Sequence, residues 1–275
     1  MSFDISQEAL ALESDTATAI LGMKISVVSY DSAAGLIMKW AAETYHCGRY
    51  VCASNVHMCM EAYDNPSFQQ VVNNADMVVP DGKPLVWAMR LLGCRTAKQV
   101  RGSDLFIKIC EQAENTLVPI GFYGGSEDSL ADFLKFVMSR YPRLQIPFFS
   151  APPFRELTEK EEEDYVEAIR VSGTRILFIG LGCPKQEKWM AALRDRVPCI
   201  MVGVGAAFDF FSGRKKHAPI WMQRAGFEWI FRLASDPRRL WKRYLKHNPR
   251  FVWFFLRQWL DKGRGRRTDR REVRR

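Results

Sequence analysis

Five short apolar runs, each followed by a stretch with helical spacing, constrain this chain more than any other feature. They are "RYVCAS" (49–54), "DMVV" (76–79), "VPIGFYGG" (118–125), "TRILFIGLG" (174–182) and "VPCIMVGVG" (197–205). The last two are rich in Ile, Val and Leu and show no polar alternation. Strands of that kind are covered on both faces, and strands separated by helices run parallel. The expected fold is α/β: a Rossmann-like, doubly wound, mainly parallel sheet. "KISVVSY" (24–30) and "LQIPFFS" (144–150) are further strand candidates. Ser103, Ser126 and Thr158 are expected helix caps, and acids follow Thr158 as a helix N-terminus favours.

Charge divides the chain again. Residues 214–275 hold 20 Lys and Arg against 5 Asp and Glu, or +15. Residues 1–213 hold 20 against 26, or −6, and the whole chain is +9. The expected organisation is a lead-in (1–22), an α/β domain carrying the chemistry (23–213), a basic aromatic helical appendage (214–262) and a disordered basic tail (263–275). A basic segment on an acidic body suggests a local attachment surface rather than nucleic-acid binding. In the segment 229–260, Pro237 and Pro249 are expected to divide the helix. Leu240, Trp241, Tyr244 and Leu245 are expected to share one face, with Lys and Arg on the rest. Aromatics beside cations suit a helix lying in an anionic membrane interface. Packing on the domain, nucleic-acid binding and an oligomer interface rank below that reading.

No 18-residue apolar run exists, so no membrane span is expected. The acidic N-terminus lacks the order of a signal peptide, and a cytosolic chain is the default. Seven cysteines without a CxxC argue against a disulfide framework and a zinc site. Cys52, His57 and Cys59 lack a fourth ligand at usable spacing and are expected to pack.

Ligands of an open parallel sheet bind beyond the carboxyl ends of its strands. Ser54 and Asn55 stand at one such end, where Asn55 suits a sugar hydroxyl or a phosphate, or simply caps a helix. Asp81 ends another strand in "VVPDGKP", where its bland role is a turn residue. Lys83 and the following helix N-terminus are expected to lower its pKa. Gly124 and Gly125 leave backbone N–H groups at 124–126 for a ligand. Gly180 and Gly182 give GxG, but Lys185 stands where a dinucleotide fingerprint needs its third glycine. Gln186 lies in the first turn of the next helix. Asp209 meets a ribose hydroxyl or is a solvated loop carboxylate.

In order along the chain, "SNVHM", "ADMVVPDGKPLV", "VRGSDLF", "GFYGG", "GLGCPKQEKWM", "GVGAAFDFFSG" and "RKKHAPIWMQRAGFEWIFRL" resemble the WecG/TagA/CpsF family of bacterial glycosyltransferases. The resemblance implies inverting transfer from a UDP-sugar to a polyprenyl-diphosphate-linked acceptor at the inner face of the cytoplasmic membrane. N-acetylmannosamine is the sugar of the best-known members. It implies Asp81 as general base, with Asn55, Gln186 and Asp209 binding substrate or nucleotide beside Ser54, Arg101 and the four glycines. The basic appendage, through Arg232, Arg239 and Arg243, is implied to attach to the membrane and complete the site. No cofactor and no metal are expected, a homo-oligomer is allowed, and nucleic acid is not expected as a partner. Two residues depart from the family pattern, Ala53 for Thr and Gln99 for Arg, both close to the expected pocket. Two readings of other classes stand behind this one. They are a nucleotide-dependent α/β oxidoreductase and a non-catalytic nucleic-acid- or membrane-binding assembly protein.

Overall fold

The computed structural model describes residues 17–43 and 48–272. The remaining parts of the expected lead-in and tail, together with Cys47, lie outside the described residues.

Six parallel strands form the central sheet in the order β4-β3-β8-β7-β5-β6. They are β3 (Arg49–Ser54), β4 (Met77–Pro80), β5 (Ile120–Gly124), β6 (Phe148–Ser150), β7 (Ile176–Gly180) and β8 (Ile200–Gly203). Successive residues of each strand enter opposite cores. Tyr50, Leu177, Ile179 and Met201 join one apolar cluster, while Val51, Ile176, Phe178 and Val202 join the other. The sheet is thus covered on both faces, which is why its strands carry no polar alternation.

One face is covered by α2 (Val56–Asp64), α3 (Pro66–Asn73), α4 (Lys83–Leu91) and α8 (Lys185–Leu193). The other packs against α1 (Tyr30–Ala42), α5 (Gly102–Thr116), α6 (Glu127–Arg140) and α9 (Ala207–Phe211). Helix α7 (Glu159–Ser172) contributes Val166 and Ile169 to the first cluster. Ser126 and Thr158 cap α6 and α7, Thr158 through a capping box with Glu161. Ser103 caps nothing, because α5 starts one residue earlier, at Gly102, behind Arg101.

"KISVVSY" is not a strand of the central sheet. Its first residues belong to β2 (Met23–Ser26), which pairs antiparallel with β1 (Ala17–Ile20) in a separate hairpin. Leu21 and Gly22 make the two-residue loop, both with positive φ, as a tight hairpin turn needs. Ser29 then starts α1 through a capping box with Ser32, so the strand cannot continue.

After β8 come α10 (Ile220–Ala225), α11 (Glu228–Ser235) and α12 (Pro237–Glu272). Pro249 does not divide α12 but lies inside it. A proline there forfeits one backbone hydrogen bond; Phe251 and Phe255 bury themselves in the core on its far side and hold the helix line. The expected apolar face is also split. Leu240 is buried, whereas Trp241 and Leu245 are exposed. Helix α12 presents one apolar row inward and another outward.

Candidate active site

The corner after β4 is tied to the end of β3. The N–H groups of Asp81 and Gly82 both donate to the Ser54 carbonyl, at 2.9 and 3.0 Å. Gln99 Nε2 donates to the Asp81 carbonyl at 2.7 Å. A side chain on Gly82 would meet Asn55 Cα at 3.1 Å, so glycine lets the two strand ends close on each other. Ala53, the other departure, packs 3.2 Å from where a Gly102 Cβ would stand.

The Asp81 carboxylate lies at the start of α5 and accepts the Gly102 N–H at 2.9 Å. Burial nevertheless pushes its carboxyl up to about 6, with Glu228 adding to the rise. Arg232, the Gly102 N–H and Arg101 pull the other way. The expected lowering by Lys83 and a helix N-terminus is therefore reversed: desolvation of the charged form outweighs the donors and cations around it.

Asp81 and Asn55 line a cavity of about 430 Å³ between the sheet's carboxyl edge and the appendage. Asn55 caps α2 through Oδ1, on the Met58 N–H, and also faces the cavity, so the cap and the ligand readings coexist. Arg232 from α11 and Arg243 from α12 enter the same cavity. Burial works against the Arg232 charge, but Glu228 and Asp81 beside it keep its pKa above the usual guanidinium value. For Arg243, Tyr244 and Cys183 favour the charge, but burial and the neighbouring Arg232 and Arg239 outweigh them. The Arg243 Nε is buried without a hydrogen-bond partner among the described residues, and burial lowers its pKa. A buried cation left this way is costly without an anion. Trp87, Leu91, Val252 and Leu256 add apolar lining to the cavity.

The other expected residues do not line this cavity. Ser54 is fully buried and gives its hydroxyl to the Val79 carbonyl at 2.9 Å. Arg101 bonds Asp104 and reaches Gln223, which lines the cavity. Arg239 pairs with Asp236 at the start of α12. Gly124 and Gly180 serve close backbone contact between β5 and β7: a Cβ on Gly124 would stand 2.6 Å from Gly180 C. The Gly125 N–H donates to Gly180 O. Gln186 is buried, and its Oε1 accepts the N–H groups of Gly182 and Gly205. Asp209 accepts from Ser129 Oγ and pairs with Lys215.

Glu228 and His247 line the cavity without having been expected there. His57, expected to pack, and Tyr244, expected on the apolar face of the appendage helix, line it as well. Glu228 was detectable, since Glu and Arg four apart on a helix pair, and this pair forms. His247 carried no local signal.

The desolvated Asp81 carboxylate thus shares one cavity with Glu228 and with three cations, Lys83, Arg232 and Arg243. Residues 18–265 match the Glycosyl transferase WecG/TagA/CpsF family, and the chain belongs to that family. It is similar to an N-acetylglucosaminyldiphosphoundecaprenol N-acetyl-beta-D-mannosaminyltransferase of Bacillus spizizenii, 30% identical over 211 residues, 76% of this chain and 79% of the relative. A protein of that name from Bacillus subtilis is 29% identical over 199 residues, 72% of this chain and 75% of the relative. One from Staphylococcus aureus is 24% identical over 205 residues, 74% and 78%.

Proposed function

We propose that the protein moves an N-acetylmannosamine-like sugar, with inversion, from a UDP-sugar to the sugar of a polyprenyl-diphosphate-linked acceptor. The observation that carries this reading is the cavity, with Asp81 at one wall, Arg232 and Arg243 at another and an apolar flank. The relatives act, by name, on N-acetylglucosaminyldiphosphoundecaprenol. Asp81 takes the proton of the acceptor hydroxyl as its oxygen bonds the anomeric carbon and the bond to the UDP oxygen breaks. General-base help of this kind is worth about 10²–10⁴-fold. Arg232 and Arg243 meet the diphosphate charge, and the apolar wall takes the first isoprenoid units.

The nucleotide lies along the carboxyl edge toward β7 and β5. The chain leaves β7 toward β8 and β5 toward β6, in opposite directions, which makes a switch-point crevice between them. Three strand spacings separate β4 from β7, roughly 14 Å, a span suited to a nucleoside diphosphate sugar. Gly182, Gln186 and Asp209 stand at that end.

Trp221, Trp241, Trp253 and Trp259 are exposed on the appendage among many cations. No helix among the described residues is long and apolar enough to cross a membrane. The appendage is assigned to the surface of an anionic membrane, at the inner face of the cytoplasmic membrane, where each near-surface cation contributes roughly 1 kcal/mol.

A screen of UDP-sugars against a short-chain lipid-diphospho-N-acetylglucosamine acceptor tests the assignment. UDP-N-acetylmannosamine is expected to give a β-linked disaccharide. Turnover with nicotinamide cofactors, or none with any UDP-sugar, would overturn it.

A further inference from the structure

Where α12 crosses α2, the packing leaves a group of side chains that the transfer chemistry does not use. His57 and Glu61 stand one turn apart on α2, and His247 meets them from α12. Glu61 Oε1 is 3.3 Å from His247 Nε2 and 3.9 Å from His57 Nδ1. The three groups offer ligand atoms all within 4.8 Å of one another. The two imidazoles meet edge-on, with ring centroids 5.0 Å apart.

Hydrogen bonding does not account for this arrangement. Nδ1 of His57 and Nδ1 of His247 are both buried and lack a hydrogen-bond partner among the described residues. A buried polar atom left unpaired costs about 1–3 kcal/mol; His57 Nδ1, 3.9 Å from Glu61 Oε1, is the one that a cation held with His247 Nε2 would satisfy. His57 is hydrogen-bonded to the backbone of Cys183. A ring N–H held by a backbone carbonyl leaves the other nitrogen as a bare acceptor, which is how metal-binding histidines are usually oriented.

We propose that His57, Glu61 and His247 bind a divalent cation of the zinc class, which fastens α12 to α2. Two imidazoles and one carboxylate are a ligand set that zinc accepts with its fourth position open. Magnesium and calcium, which want oxygen ligands, suit it poorly. Tetrahedral zinc with bonds of about 2.1 Å sets ligand atoms about 3.4 Å apart. Glu61 and His247 already have that spacing, and His57 needs a small side-chain rotation to reach it. Both histidines also line the cavity, so water or a ligand oxyanion can take the fourth position from that side. Arg243, Lys246 and Arg250 lie nearby and oppose a cation. Asp64 binds Arg250 through two hydrogen bonds and pairs with Lys246, which offsets two of the three. Along the chain, Cys52, His57 and Cys59 lack a fourth ligand at usable spacing. The partners the fold supplies to His57 are Glu61 on its own helix and His247 from far along the chain. Cys59 is spent on the Ile20 carbonyl.

The test uses the full chain, stripped with EDTA, dialysed and titrated calorimetrically with zinc chloride. One equivalent is expected to bind. Glu61→Gln and His247→Gln are expected to weaken binding by more than the roughly 10–100-fold that loss of an outer-shell partner costs. Cobalt(II) at one equivalent is expected to give the visible bands of a four-coordinate nitrogen and oxygen site, without a near-ultraviolet thiolate band. No zinc binding by the unsubstituted chain, equal binding by the folded variants, or a thiolate band at one equivalent each overturns the proposal. If a variant fails to fold, the cobalt spectrum of the unsubstituted chain still decides. None of these readouts is turnover, so the cation site and the transferase reading fail separately.

Discussion

At the scale of single residues, the sign of one pKa shift organises the site. Asp81 ionises near 6 rather than 3.8 because burial disfavours its charge more than Arg232 and the Gly102 N–H favour it. A carboxylate whose folded value is raised stabilises the fold only while protonated. That contribution is present below about pH 4 and lost as pH rises through about 6. Asp81→Asn is therefore expected to stabilise the protein above pH 6, by no more than about 3 kcal/mol, and to leave it unchanged below about pH 4. The same substitution is expected to lower kcat by about 10²–10⁴-fold while UDP binding survives. Melting curves across pH, beside single-turnover rates, check both; near-normal kcat removes Asp81 from the role. In the unsubstituted enzyme, kcat/KM is expected to rise with pH through an inflection near 6. Arg243 follows the same logic with the opposite charge. Arg243→Met removes a half-buried cation whose Nε has no hydrogen-bond partner among the described residues, and is expected to raise Tm while raising KM for the diphosphate-bearing substrates. A lower Tm, with KM unchanged, would make Arg243 a packing residue only.

Elements explain why these residues meet. The site needs the β3 and β4 ends, the α5 N-terminus, and two appendage helices that pack back on the body. Helix α12 does so by inserting Leu240, Phe251 and Phe255 and by bonding the β1–β2 hairpin through Gln258. Deleting residues 238–275 would uncover core, so point changes are the cleaner probe of membrane attachment. Trp241→Ala with Trp253→Ala is expected to reduce sedimentation with anionic vesicles several-fold and leave the unfolding free energy within about 1 kcal/mol of the parent's. Unchanged vesicle binding would move attachment elsewhere. On the sheet, Gly124 sits at φ +130° against Gly180. Gly124→Ala is expected to destabilise by about 2–4 kcal/mol, read by chemical denaturation. A neutral result would mean that the β5 and β7 ends can part freely.

For the whole molecule, an appendage rich in Lys and Arg packs apolar side chains onto an acidic body. On the proposed reading Arg232 and Arg243 take the diphosphate charge, so the transfer step is expected to need no magnesium. Magnesium added to EDTA-treated enzyme is expected to leave turnover unchanged. Activity lost to EDTA and restored by magnesium, but not by zinc, would place the divalent ion on the reaction path instead of between α2 and α12.

Much of this was legible in the residues because it is local. The parallel sheet follows from apolar runs spaced by helices, and the glycine turns and the "PDG" corner follow from backbone chemistry that any reader can place at strand ends. What the sequence could not decide is what each polar group does once buried. Gln186 and Ser54 look like ligand donors in a motif, yet the fold spends them on backbone groups. Asp81 looks like a turn carboxylate with a lowered pKa, yet desolvation raises it. His57 looks solitary until His247 arrives from the far end of the chain. Periodicity and turn chemistry act over a few residues, so one-dimensional order determines them. Desolvation and long-range contact depend on which distant surfaces exclude water together, and only the tertiary structure sets that.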